Sequence, residues 1–310
     1  MIATRGVVAS SLVAALVGSP SLALAEDTFQ ADTFQAEAGL SYSRFKSDFL
    51  RQNTAGAEAS YFFDKLPTQP KDYPLEQAPF VERIGSVTAN YSRSSFSVPN
   101  ADSLSNGWMY GATVLFARPE TPFIASAGYD SLYSGKLRSG SLESESDGKF
   151  YQLAVGAYVD KTTALSLGWS RNTGRNKSTS GGAPLADSRD TLDSVSISGQ
   201  HLARLSGGDH LALLAGLSLD THERQGSASE KNRTVFVQAT YYPTKMLGLT
   251  LGVLSDRGDD RINEGEFYLA GARMFVTPTL SLSLDFQKSH AKAPNGTDFD
   301  FVTLKALARF

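Results

Sequence analysis

The chain has 310 residues, 41% of them hydrophobic and 20% charged, with a formal net charge of −3 and no cysteine. The slightly acidic balance argues against nucleic acid as a partner, and the missing thiols exclude a disulfide scaffold, thiolate metal sites and a cysteine nucleophile. No stretch approaches the roughly 20 apolar residues of a membrane helix, so a helical membrane protein is excluded as well.

The first element in chain order is a leader. Arg5 precedes an apolar run from Gly6 to Gly18, which ends in Pro20 and the triplet Ala23-Leu24-Ala25. A basic start, a short apolar core and a small-residue A-x-A site make a secretory signal peptide. The sequence therefore predicts residues 1–25 as a cleavable signal peptide and 26–310 as one exported domain.

From Phe34 onward apolar and polar residues alternate. Phe34, Ala36, Ala38, Leu40 and Tyr42 interleave with Gln35, Glu37, Gly39, Ser41 and Ser43. Successive strand side chains point to opposite faces, so this segment has one apolar and one polar side, with Gln35 on the polar one. The pattern returns from Ala57 to Phe63, Val87 to Tyr91, Trp108 to Phe116, Phe123 to Tyr129, Tyr151 to Val159 and Leu165 to Trp169. It continues from Val195 to Ile197, Leu211 to Leu219, Val235 to Tyr241, Leu247 to Val253, Leu280 to Phe286 and Val302 to Phe310. Glu266 to Val276 is strand-like too, but both its faces are partly apolar and its facing stays open. About fourteen segments of roughly ten residues result, the length a tilted strand needs to cross a bilayer.

The connections alternate in length. Short ones join Arg118 to Pro122, Asp160 to Thr163, Leu205 to Asp209, Pro243 to Met246 and Val276 to Thr279. Long polar loops are expected from Ser134 to Gly148, Asn172 to Asp190, Thr221 to Asn232, Asp256 to Glu264 and His290 to Asp298. Short turns at one end and long loops at the other characterise an up-and-down outer-membrane barrel. One short-side connection breaks the rule: Lys65 to Glu82 is long and carries Pro67, Pro70, Pro74 and Pro79. Pro74 suits the start of a brief helix, and Leu75, Ala78 and Phe80 give it an apolar side. A loose solvated turn has no use for Leu75, Phe80 and Val81, so the segment is expected to pack on the periplasmic rim or fold into the mouth.

A soluble β-sandwich also alternates. Here the polar face is mostly small Ser, Thr and Gly with Gln and Asp, which suits a wet lumen. Aromatic residues (Tyr42, Trp108, Phe123, Tyr129, Trp169, Tyr241, Phe286) gather near the ends of the apolar rows, as interfacial girdles do. Lipid leaves no backbone group unpaired, and only a closed sheet satisfies that demand. The expected fold class is all-β, a transmembrane antiparallel up-and-down β-barrel of about 14 strands behind a cleavable signal peptide.

The chain closes on Phe310, with apolar residues at every second position before it. This looks like the C-terminal signal that outer-membrane proteins present to the barrel assembly machinery. Tyr61-Phe62-Phe63-Asp64-Lys65-Leu66, with Pro74-Leu75-Glu76-Gln77-Ala78-Pro79-Phe80-Val81-Glu82-Arg83-Ile84-Gly85-Ser86-Val87, resembles the putative general bacterial porin family of Gram-negative bacteria. The architecture agrees over the whole mature chain, while the specific motif covers under thirty residues. The resemblance implies the outer membrane and passive diffusion, and it supplies no catalytic residues.

No phosphate-binding Gly loop, HExxH or EF-hand spacing occurs, and His201, His210, His222 and His290 are too dispersed for a metal cluster. No cofactor or metal is expected. The leading reading is a non-enzymatic porin for small hydrophilic solutes or ions, embedded in outer-membrane lipid, with the pore-facing charges Glu37, Glu58, Asp130, Asp160, Asp220, Asp285, Arg273, Lys305 and Arg309. Six acids against three bases predict a slight preference for cations. The alternative is a barrel enzyme of protease or lipase type using Asp220 and His222, two apart on one strand face. Outward apolar rows serve lipid and a neighbouring copy equally, so a homotrimer stays open beside a monomer.

Overall fold

A computed structural model of the chain describes residues 32–48, 50–97, 104–139, 141–226, 228–258, 265–291 and 298–310. The signal peptide expected at 1–25 lies outside the described residues. Fourteen antiparallel strands follow one another: β1 (Thr33–Ser47), β2 (Arg51–Pro67), β3 (Ser86–Ser97), β4 (Leu104–Ala117), β5 (Phe123–Ser139), β6 (Leu142–Tyr158) and β7 (Thr163–Ser180). They continue with β8 (Ala183–Arg204), β9 (His210–Arg224), β10 (Glu230–Thr244), β11 (Leu247–Gly258), β12 (Gly265–Thr277), β13 (Leu280–Ala291) and β14 (Phe299–Arg309). Each strand pairs with its sequence neighbours, and β14 returns to β1 from Glu37↔Arg309 through Ser47↔Phe299, closing the sheet. No edge is left, which is what a lipid environment requires of a sheet.

The alternation read from the sequence divides the wall into two surfaces. Leu40, Leu153, Val155, Leu167, Ile197, Leu251 and Leu284 form the exposed apolar exterior, with Tyr42, Trp108, Phe123, Trp169, Tyr241 and Phe286 among them. The interior is dominated by hydroxyls that satisfy one another across strands. Ser60 pairs with Thr88 at 2.6 Å, Ser166 with Ser198 at 2.7 Å, and Ser43 with Thr303 and Thr240 with Thr250 at 2.9 Å. The ambiguous strand resolves as β12 with Tyr268, Met274 and Val276 on the exposed face. Its apolar interior residues are used: Phe275 lies under the Arg309 guanidinium at 4.6 Å.

Two expectations need correction. The loops expected from Ser134 to Gly148 and Asn172 to Asp190 are mostly strand, because β5 and β6 run to Ser139 and from Leu142, and β7 and β8 to Ser180 and from Ala183. Beyond the bilayer no apolar row is needed, so the hydrophobic signal stops while the hydrogen-bond ladder continues. Ion pairs such as Arg171–Asp193 at 2.8 Å and Arg175–Asp187 at 2.5 Å take over the cross-strand contacts there. The second correction is at Phe34. The N–H groups of Gln35 and Ala36 both donate to the Phe310 carbonyl, and the β1–β2 register shifts between Phe34 and Ala36. This β-bulge reverses the facing, so Phe34 turns into the barrel and strict alternation no longer places Gln35 in the lumen.

Candidate functional site

The connection 68–85 between β2 and β3 folds into the end of the barrel that holds the short turns and the C-terminus. Pro74, at φ −65° and ψ 146°, keeps the chain extended up to a 3₁₀ turn at Leu75–Gln77. A single-turn helix, α1 (Ala78–Val81), follows, with Pro79 in its first turn where no N–H is needed. Arg83 then takes φ 56°, a conformation that L residues adopt rarely, and turns the chain toward β3. Its guanidinium stands 4.5 Å above the Tyr158 ring, a contact that offsets the backbone cost.

Apolar side chains carry the segment across the lumen. Tyr73, Ala78 and Ile84 join Phe34, Phe62, Leu66, Leu202, Ala212 and Tyr242 in one buried cluster, with Phe80 and Val81 against it. Those partners belong to β1, β2, β8, β9 and β10. Phe80 also reaches a second cluster of Ala117, Tyr158 and Ala164. Fully burying one leucine stabilises by about 1.5–3 kcal/mol, so Leu75 is a strong apolar anchor of the segment, and Leu66 fixes the end of β2 from which the segment leaves.

Polar contacts complete the seat. Arg273 Nη1 donates to Glu76 Oε1 at 2.8 Å, and the Tyr242 hydroxyl donates to Glu76 Oε2 at 3.1 Å. Gln77 Nε2 donates to the Tyr242 oxygen at 2.8 Å while its Oε1 accepts from Gln200 Nε2 at 3.1 Å. His210 Nε2 donates to the Asp72 carbonyl at 2.9 Å, and Lys245 Nζ to the Pro70 carbonyl at 3.0 Å. Leu75 N–H donates to the Lys245 carbonyl at 3.0 Å, and the Leu75 carbonyl accepts from Arg309 at 3.3 Å. Tyr73 donates to Glu82, and burial together with that carboxylate raises the Tyr73 phenol far above its ordinary pKa. Glu76 and Gln77 stand out in the sequence only as part of the family motif, and nothing in the local pattern marks Gln200 or Lys245. The one visible signal was an aromatic on the wrong parity: Phe62 beside Phe63, and Tyr242 beside Tyr241.

The expected pore-facing charges fall into distinct settings. Arg309 donates to Glu37 at 2.7 Å, and Lys305 reaches over β1 to Glu58 at 2.9 Å, with small Gly39 and Ser41 beneath. Arg273 is held by Glu76. Asp130 accepts from Asn90 at 3.1 Å. Asp130 and Asp285 lie flat against the wall where it has glycine: a Cβ on Gly111 would meet Asp130 Oδ1 at 1.9 Å, and one on Gly271 would meet Asp285 Oδ1 at 2.3 Å. Asp220 accepts from Ser218 at 2.6 Å and from Thr234 at 3.1 Å. Asp256, expected in a loop, is the second acceptor of the Thr234 hydroxyl, at 3.4 Å, and faces inward by the parity of exposed Leu249, Leu251 and Val253.

Asp160 does not sit in the lumen. It is fully exposed in the β6–β7 turn, where it accepts from Thr162 N–H at 2.7 Å and from the Thr163 hydroxyl at 2.9 Å. The Thr162 N–H, first among these donors, lowers its carboxyl below the usual aspartate value. Asp220 and His222 share the inner face, but their polar atoms are engaged separately. His222 Nδ1 faces Glu230 at 3.6 Å, and Asp220 serves two hydroxyls. Among the described residues no group of His, Asp and Glu has a metal-binding arrangement.

A closed fourteen-strand barrel with an apolar exterior, a hydroxyl-rich interior and an inward-folded short-side connection narrows the comparison. The family described as Putative general bacterial porin matches residues 8–307. The chain belongs to that family. It is an outer-membrane β-barrel protein of a Gram-negative bacterium with a porin or channel role. No curated protein sequence matches it. Among solved structures, the Acinetobacter baumannii outer membrane protein Omp33 is similar over 91% of this chain and 100% of its own, with TM-score 0.55 and 15% identity. The TodX deltaS2S3 mutant monoaromatic hydrocarbon channel aligns over 96% and 94%, with TM-score 0.53 and 11% identity. The Ralstonia pickettii toluene transporter TbuX aligns over 91% and 90%, with TM-score 0.51 and 9% identity. These likenesses concern the fold.

Proposed function

We propose that this porin is a non-enzymatic diffusion channel for small hydrophilic solutes and ions, narrowed at its periplasmic end by segment 68–85. The observation that carries the reading is the seat of that segment, anchored on Glu76 and Gln77 to β8, β10 and β12 across the barrel interior. A polar wall supports hydrophilic cargo, since hydroxyls and carboxylates replace the water a solute sheds. Glu37, Glu58, Asp130, Asp220, Asp285, Arg273, Lys305 and Arg309 are the charges we assign to the pore lining, with Asp256 added and Asp160 removed. Phe310 serves as the assembly signal for the barrel assembly machinery.

Planar-bilayer recording tests the reading. The full barrel should give small, stable conductance steps. Replacing residues 66–81 by a four-residue Gly/Asn turn should raise the step severalfold while heat-modifiable migration on gels stays normal. Equal conductance from a folded replacement variant removes the constriction, and silence from both barrels removes the channel.

A further inference from the structure

The outer half of the interior wall carries a second polar feature, on β8–β11. Cross-strand register places Ser194, Asp220 and Asn232 on one rung and Ser196, Ser218, Thr234 and Asp256 on the next. Leu219 is the last large exposed apolar residue on β9 and Thr221 follows it outward, so Asp220 stands at the extracellular edge of the apolar band. A solute entering from outside meets this wall before it meets segment 68–85.

The cluster has too many acceptors for its donors. Thr234 has one hydroxyl proton for two carboxylates, at 3.1 Å from Asp220 and 3.4 Å from Asp256. Ser218 and the Arg257 N–H supply one further donor each. Two carboxylates offer about eight lone-pair sites, so most stay open. Among the described residues, Ser194, only 5% exposed and on the inner face beside Asp220, has a hydroxyl without a partner, and Asn232 Oδ1 also lacks a donor. The nearest inward bases among the described residues are taken: Arg224 lies on Asp190 at 3.3 Å, and His222 faces Glu230. One rung inward from Thr234 and Asp256 the Phe236 ring lies over Gly216, where a Cβ would come within 2.5 Å of it. Acidic oxygens beside an aromatic ring suit a cation that is also flat or apolar and carries several N–H donors.

We propose that Asp220 and Asp256, with Thr234, Ser194 and Phe236, form a binding station for solutes bearing a guanidinium or ammonium group. A bare metal ion fits less well. The two carboxylates flank Thr234 instead of converging on a point, and no metal-like grouping occurs among the described residues. The station names a solute class for the channel and rests on that reading only for the direction of travel.

Isothermal titration of the folded full barrel in detergent tests it with methylguanidinium against its neutral isostere N-methylurea. Methylguanidinium should bind saturably at one site, about tenfold or more tighter than the urea, as a charge-assisted pair on carboxylate requires. D220N and D256N should each weaken it about tenfold, with heat-modifiable migration unchanged. Equal binding of the two probes by the unaltered barrel overturns the proposal, as does unchanged affinity in the folded double variant, or binding of calcium without methylguanidinium. The titration needs no conductance. A silent bilayer therefore removes the channel reading alone, and absent binding in a conducting barrel removes the station alone.

Discussion

Arg309 and Glu37 stand directly opposite each other on the last and first strands, joined by a 2.7 Å hydrogen bond in which both side chains are almost wholly buried. The same guanidinium lies 4.5 Å from the Phe34 ring centroid and donates to the Leu75 carbonyl. One side chain thus ties the closing seam of the barrel to the segment inside it. Removing one member of such a pair leaves an uncompensated buried charge, which costs about 3–5 kcal/mol. E37Q and R309M should each lower stability by that order, and the double variant by clearly less than their sum. Urea-denaturation midpoints in a double-mutant cycle measure it, and additive losses would show that the two residues act independently.

Glu76 is the polar anchor of the inward segment, held by Arg273 and Tyr242. E76Q keeps the shape but removes the charge that Arg273 needs. Segment 68–85 should then leave its seat more often, giving larger or more frequent openings in bilayer recordings. An E76Q barrel with unaltered conductance would place the grip in the apolar cluster instead.

Phe310 completes the seam through its backbone, accepting from both N–H groups of the bulge and donating to the Ala36 carbonyl. Deleting it takes these bonds from the first strand. Less heat-modifiable protein should reach the outer membrane, and more should remain in the periplasm. Undiminished insertion of the deletion variant would contradict the assignment.

On the strands of the inner half, Arg273, Lys305 and Arg309 each contact an acid, whereas Asp130, Asp220 and Asp256 contact no base among the described residues. The wall's unmatched charge is negative. Reversal potentials across a salt gradient should therefore show cation preference, fading toward 1 M salt as the Debye length contracts to about 3 Å. Anion preference at low salt is the outcome that sinks this.

Asp160 gives a pH-dependent turn. Its carboxyl is held below the ordinary value by Thr162 N–H and the Thr163 hydroxyl, so the folded state prefers the charged form. The contribution is full above the unfolded aspartate pKa and disappears as pH falls through the lower, folded value. Carboxyl NMR should place the Asp160 midpoint below that of an exposed reference aspartate, and T163A should move it up. A midpoint unaffected by T163A would mean that this hydroxyl bond has no weight in solution.

Legibility followed the apolar alternation. Where lipid faces the wall, as along Leu211 to Leu219, one strand's own residues announce both its existence and its facing. Where lipid is absent the signal lapses, so Arg175 and Asp187 carry no local mark of a strand, and Asp256 is reached only by continuing the parity from Val253. The interior aromatics Phe62, Tyr242 and Phe275 broke the alternation because they face protein at that end of the lumen instead of water.

From its own residues the chain determined a closed transmembrane barrel of about fourteen strands, since alternation over bilayer-length segments has no other paired solution in lipid. It also marked 65–82 as a segment with more apolar side chains than a turn requires. Only the tertiary structure decided which residues that segment touches, because its partners Gln200, Tyr242, Arg273 and Arg309 come from strands more than a hundred residues away. The facing of Phe34 was decided there too. A bulge depends on how β1 meets the Phe310 carbonyl, and no local pattern in β1 encodes that meeting.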